Sequence, residues 1–305
     1  MRRWCVTAVL AAILPVACGS GPPTEATAEG DDAITVASFN FPESVLLAEL
    51  YAQALESAGF RVERQLNLGT RELVQPALQR GLVEFVPEYA GSTLEFVAGA
   101  GSASPDERTT HRALAQALAA RGIAVLAAAP AEDQNGFVVT RTTAGRFGLR
   151  TISDLRSVAE EFIFGGPPEC PQRPLCLRGL SSTYGLTFDR FVPLDESGPL
   201  TAAALREGHV QVALMFTTDG AIDANRFVVL EDDRQLQPAE NVTPVVRQVI
   251  LDRFGARVAA VADAVSASLT TGDLRGMNAD VAGGLRPRDV AARWLAAHGL
   301  TDAVE

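Results

Sequence analysis

The chain contains no lysine; all 26 of its Lys and Arg residues are arginine. That absence excludes a Schiff-base lysine, a phosphate-loop ammonium and a lysine clamp on a ligand. Histidine is scarce too. His111, His209 and His298 are the three present, each on or beside an expected helix with no motif around it. Each therefore reads as a surface or helix-end residue rather than a general base. The sequence has no G-x-S-x-G elbow, H-E-x-x-H, phosphate-binding loop or paired C-x-x-C. Glu88, Asp154 and Asp219 are the acids an acid–base pair would draw on, but nothing in the sequence orients them. The expectation is a protein that is not an enzyme and carries neither cofactor nor metal. Positive charge is in deficit overall, at a net −11, which argues against a nucleic-acid surface. What is present is apolar: 305 residues at 47% hydrophobic content can fill one large or two modest cores, and two lobes are expected.

Cysteine is limited to four residues, and they sort by position. Met1-Arg2-Arg3 and the apolar run from Trp4 to Val16 make a charged n-region and an h-region, too short for the ~20 residues that span a bilayer. Residues 1–17 are thus expected to be a signal peptide, with Cys5 lost alongside it. Ala17-Cys18-Gly19-Ser20 resembles a bacterial lipobox with Cys18 as the lipidated residue, although Pro15 stands where leucine is usual and Leu14 lies one place further back. Residues 18–32 would be the lipid anchor and flexible tether. Non-lipidated secretory cleavage is the alternative. Either way the chain is expected outside the cytoplasm, and with the anchor it sits at the outer face of the cell membrane. Cys170 and Cys176 remain in an oxidising compartment and should pair. A loop so small stabilises by only about 2 kcal/mol in the chain-entropy model, so its main effect is to shape the segment PPECPQRP. Zinc would need two further ligands, and no histidine lies nearby in sequence.

From Ile34 to Phe96 strand and helix signals alternate. Ile34–Ala37 is an apolar run, and Pro42-Glu43-Ser44 opens a helix whose inner face is Leu47, Leu50, Tyr51, Ala54, Leu55 and Ala58. Gly59 ends it. Phe60 to Leu66 alternates as a strand, Thr70 can cap a helix over 71–80 closed by Gly81, and Val83–Val86 is a third strand that turns at Pro87-Glu88-Tyr89. Strands joined by such helices should be parallel. Ligands in open α/β sheets sit beyond the carboxyl ends, here 38–41, 67–70 and 88–93.

The run from SFNFPE through NLGTRE to PEYAGS, followed in order by PPECPQRPLCLRGLSSTYGL, FTTDGAI and LEDDRQLQPAENVTPVVR, resembles the substrate-binding proteins of quaternary-amine and glycine-betaine ABC importers. The likeness covers nearly the whole chain beyond the leader. It implies an α/β, two-lobed, type II periplasmic-binding-protein-like fold, with mixed sheets, flanking helices and a hinged cleft. It also implies lobe I at 33–138 plus 243–305 and lobe II at 139–242, with crossovers at 137–140 and 242–247. Between the crossovers, Ser153 is expected to cap a helix, 161–165 and 210–216 to be strands, and 179–184 and 200–207 to be helices. The partners implied are a small-molecule ligand and ABC permease subunits, with the chain itself a monomer.

A quaternary ammonium cannot donate hydrogen bonds, so its recognition rests on aromatic faces at cation–π distance plus a donor for any carboxylate. By resemblance Tyr89 supplies a cage wall, Ser92 a hydroxyl, Arg173 the carboxylate-binding guanidinium and Phe216 a position often held by tyrosine. Asn40 and Phe41 begin the first loop, Asn135 lies at a crossover, Thr217 follows Phe216 and Asn241 precedes the return strand; these complete the candidate set with Phe39. Two departures stand out. Phe39 replaces the lysine of an S-K-N-F pattern, and Pro238-Ala239-Glu240-Asn241 stands where aromatic residues are common. One cage wall is therefore expected to be missing, which admits a neutral or aromatic ligand as the alternative. An exported enzyme is the more distant one. Tyr51 and Tyr184 are expected in the core.

Overall fold

The computed structural model describes residues 33–195 and 197–301. The expected signal peptide, the expected tether and Cys18 lie outside the described residues. The first lobe begins with β1 (Ala33–Phe39), α1 (Pro42–Ser57), β2 (Arg61–Gly69), α2 (Arg71–Arg80), β3 (Phe85–Tyr89), α3 (Ala90–Ala98), α4 (Glu107–Ala119) and β4 (Ile123–Val125). The second holds β5 (Asn135–Val139), α5 (Arg141–Phe147), β6 (Ile163–Gly166), α6 (Leu177–Gly179), β7 (Arg190–Pro193), α7 (Pro199–Arg206), β8 (Val212–Phe216), α8 (Gly220–Asn225) and β9 (Val228–Val229). The chain then returns through β10 (Val242–Arg247) to α9 (Gln248–Phe254), α10 (Ala256–Ser268), α11 (Thr271–Ala282) and α12 (Pro287–Ala297).

Two five-stranded mixed sheets result, in the orders β2-β1-β3-β10-β4 and β7-β6-β8-β5-β9. As expected, β1 runs parallel to both β2 and β3. Pro87-Glu88-Tyr89, expected as a turn, instead continues β3, because β10 covers it in antiparallel register from Val242↔Tyr89 through Thr243↔Glu88 to Pro244↔Pro87. Helix α3 starts at the next residue, so Tyr89 is both the end of a strand and the residue before a helix. The passage to the second sheet also comes earlier than expected. β5 pairs with β8 from Asn135 onward, Asn135↔Phe216, which assigns 135–138 to the second sheet. Thr151, two residues before the expected Ser153, forms the capping box of the following 3-10 turn with Asp154.

The inner face read for α1 is buried. Leu47, Leu50, Tyr51 and Leu55 pack among Phe85, Val246, Val258, Val265, Leu274 and Trp294, so the C-terminal helices complete the first core. The other face of that sheet is closed by Val74, Leu78, Leu94, Leu114 and Leu118. In the second lobe Phe164, Tyr184, Leu180 and the Cys170–Cys176 disulfide share one core. Tyr51 donates or accepts across to Ser266 at 3.0 Å, and Tyr184 gives its hydroxyl hydrogen to Asp232. Both tyrosines are core residues. Gly81 ends α2 in the left-handed conformation with φ 74°, where a side chain would be strained.

The lobes are joined by two extended segments that run side by side. Ala129 N–H donates to Val242 O at 2.8 Å, Glu132 bridges Asn241, and Asp133 N–H donates to Glu240 O at 3.2 Å. This crossover pair forms the floor between the lobes.

Candidate functional site

A cleft of about 1330 Å³ opens between the lobes, larger than the several hundred Å³ common for small-ligand pockets. Its first wall is the carboxyl end of β1 and the start of α1. Phe39 and Phe41 stack with ring centroids 5.9 Å apart and an interplanar angle of 3°, and Phe41 lies 6.1 Å from Tyr89 at 27°. Phe41 is the exposed member, at 38%, so it is a cleft residue rather than core packing. Phe39 is buried, with the Arg71 guanidinium 5.1 Å from its ring centroid. Arg71 in turn holds the fully buried Glu88 at 3.0 Å, where Gln75 and Thr93 also donate.

Three carboxylates of the cleft, Glu43, Asp133 and Glu240, come from separate segments. Glu43, in the first turn of α1, accepts from the Tyr89 hydroxyl at 2.6 Å and from Asn278 Nδ2 at 2.5 Å. Asn278 lies on α11 and also donates to Thr218 O, which ties Glu43 to the second lobe. Asp133 and Glu240 stand on the crossover pair. Asp133 Oδ1 accepts from the Thr218 hydroxyl at 2.8 Å. Glu240 accepts from the Ser92 hydroxyl at 2.6 Å and from its backbone N–H at 3.0 Å, at the N-terminal turn of α3, where a negative charge is favoured. Burial, and then the Glu43 charge, pushes Asp133 well above the usual carboxylate range. Burial pushes Glu240 up to about 7 despite its bonds from Ser92. Burial likewise raises Tyr89, with Glu43 adding to it, so Tyr89 is a donor to Glu43 and keeps its proton.

Seven of the ten candidates meet in this cleft: Phe39, Asn40, Phe41, Tyr89, Ser92, Asn135 and Phe216. Three do not. Arg173 lies outside the lining and pairs with Glu169 at 2.7 Å, one helical turn away in sequence. Thr217 is a joint of the crossover, its hydroxyl donating to Glu132 O at 3.0 Å and accepting from Gln134 N–H at 2.9 Å. Asn241 is buried there and donates to Ala129 O at 2.9 Å. Both stabilise the floor rather than face the cleft. Sequence reasoning missed Glu43, Asp133, Glu240 and Asn278. Their signal was faint: Glu43 reads as a favourable first-turn acid, Asp133 as one of a string of polar turn residues, and Glu240 as a lost aromatic. No group of three acidic, histidine or cysteine side chains among the described residues is placed to hold a metal ion.

Two lobes on two mixed sheets, joined by a paired crossover and lining one large cleft, define a two-lobed solute-binding protein of the type II periplasmic kind. Residues 32–297 match the family model described as the substrate binding domain of ABC-type glycine betaine transport systems, and the chain belongs to that family. It is 28% identical over 281 residues to the glycine-betaine-binding protein of Pseudomonas aeruginosa, covering 89% of each chain. To the glycine betaine-binding protein YehZ of Escherichia coli it is 28% identical over 270 residues, covering 85% of this chain and 88% of that one. Among solved structures, apo YehZ superposes with a TM-score of 0.78 at 26% identity, covering 88% of this chain and all of that one. A glycine betaine/carnitine/choline ABC transporter structure gives 0.82 at 23% identity with the same coverage. These relatives are substrate-binding proteins of ABC transporters, not enzymes.

Proposed function

We propose that this chain is the lipid-anchored, extracytoplasmic receptor of an ABC importer, and that it takes a small quaternary amine or osmoprotectant of the glycine betaine or choline type into the interlobe cleft. The observation that carries this reading is the meeting of the Phe41 and Tyr89 rings with the carboxylates of Glu43, Asp133 and Glu240 in one cavity. Ring faces and buried negative charge both favour an organic cation. A neutral aromatic ligand would leave the carboxylates without a counter-charge. The described helices include none long and apolar enough to cross a membrane, so the receptor would reach its permease by its anchor.

Two measurements test the reading. Calorimetric titration of the purified chain with choline and glycine betaine should show binding that Tyr89→Ala weakens at least two- to thirty-fold, the loss of one cation–π face at about 0.5–2 kcal/mol. Tight binding unchanged in Tyr89→Ala would place the pocket elsewhere. Fractionation tests the anchor: wild-type chain should partition with membranes and carry lipid by mass, and Cys18→Ala should release it. Wild-type chain that is wholly soluble and unlipidated would remove the anchor from the account.

A further inference from the structure

The lining of the cleft is unbalanced in charge. Glu43, Glu95, Asp133, Asp219 and Glu240 face it, against one described basic residue, Arg71. Arg71 is itself committed, with its guanidinium 3.0 Å from the fully buried Glu88 and lying over Phe39. Several of the remaining side-chain donors are also engaged, although the exposed Asn40 amide is not among them. Tyr89 and Asn278 give theirs to Glu43, Ser92 to Glu240, Ser197 to Asp219, Thr218 to Asp133 and Gln237 to Leu175 O.

From this balance we infer that the cleft selects an organic cation that carries no carboxylate and brings N–H or O–H donors of its own, in preference to a betaine-type zwitterion. The inference rests on the reading of the cleft as the solute site, which stands on the cavity and the family. The charge decides only what kind of solute enters. An incoming carboxylate would meet like charge from both lobes, Glu43 and Glu95 on one side and Asp219 on the other, with no uncommitted guanidinium or ammonium in the described lining to answer it. Like charges within about 4–6 Å disfavour each other's ionised forms, and a buried charge without a partner is costly. An ammonium or guanidinium meets the opposite situation. Each carboxylate oxygen has two lone pairs, so Asp133 and Glu240 retain acceptor capacity after Thr218 and Ser92 have donated. Asp133 is displaced upward by burial and by Glu43, as crowded acids are.

Four probes separate the contributions: ethanolamine and choline share a hydroxymethyl end, glycine and glycine betaine a carboxylate, and each pair differs in N-methylation. Agmatine, with a guanidinium and an amine, extends the series to a ligand closer to the size of the cleft. Titrated into the purified chain, the carboxylate-free cations are expected to bind at least tenfold tighter than glycine and glycine betaine. Asp133→Asn should weaken those cations about tenfold while leaving the zwitterions unchanged or tighter, and Glu240→Gln should shift the ratio in the same direction. Melting curves of both variants confirm that each is folded. Glycine betaine binding as tightly as choline, and lost in Tyr89→Ala, would overturn the selectivity and leave the solute-binding reading intact. No binding of choline, ethanolamine or agmatine to folded wild-type chain would overturn the selectivity as well. Probe binding indifferent to Tyr89→Ala, Asp133→Asn and Glu240→Gln together would instead overturn the assignment of the cleft.

Discussion

Glu240 shows how a single carboxylate ties the site to pH. Burial raises its folded pKa to about 7 from an ordinary 4.5, so between those values the folded chain holds a proton that the unfolded chain has released. Stability from this group is therefore full below pH 4.5 and is lost as pH rises through 7. The groups facing it are Ser92 and Glu95 on α3, Arg71 on α2 and Asp133 across the crossover. Thermal melts of the ligand-free chain should drop from pH 5 to pH 8 by the equivalent of roughly 1–3 kcal/mol, and Glu240→Gln should flatten that drop. A melting temperature that rises over the same range in wild type would contradict the assignment. Cation binding should tighten over the window in which ligand-free stability falls, because the ionised carboxylate is the one that attracts the ligand.

At this scale the sequence was partly legible. Phe41 was named because it lies in the loop after the first strand, and Tyr89 and Ser92 because the PEYAGS run resembles the family; all three line the cleft. Asp133 and Glu240 were not named, because their role depends on two segments about a hundred residues apart lying side by side. No local periodicity encodes that pairing. Arg173, named by resemblance through a strong local motif, lies outside the cleft lining and pairs with Glu169 in its own loop.

Among the elements, the junction of α3 with the crossover is closely packed. A Cβ on Gly91 would lie 2.7 Å from Ala239 O and 3.0 Å from the Glu240 side chain, closer than real contacts allow, and the obstacle includes backbone. Gly91→Ala should therefore destabilise by about 1–3 kcal/mol in urea unfolding and weaken ligand binding by displacing Glu240. Gly276 offers the contrast. It lies within α11, away from both ends, and an added Cβ there meets nothing within 4 Å. Gly276→Ala should stabilise by roughly 0.4–1 kcal/mol, as helix propensity and the unfolded chain dictate. Equal effects from the two substitutions would mean that the close approach at Gly91 is without consequence. The alternation from β1 to β3 was readable from apolar spacing and from Gly and Pro punctuation, whereas the short helices α3, α5, α8 and α9 were not. The end of β3 was not, since Pro-Glu-Tyr reads as a turn until β10 arrives to pair with it.

At the scale of the whole molecule, the two lobes meet along more than their connections. Asn278 joins Glu43 to Thr218 O, Arg275 donates to Thr217 O at 2.6 Å, and Gly220 of α8 sits so close to Ala279 of α11 that a Cβ would come within 2.6 Å of its backbone. The two lobes were legible from chain length and from the order of the motifs. This secondary contact was not, because it joins helices from distant parts of the chain and carries no motif of its own.

The floor between the lobes has a further consequence. Asp133 and Glu240 stand on the paired segments that join the lobes, so the floor of the cleft holds two acids whose protons burial makes hard to remove. On the proposed reading, a cation seated there would draw both groups into their ionised forms and so release protons as it binds, whereas an uncharged molecule of the same shape would release none. Proton release on binding would then report the charge of the occupant independently of its shape.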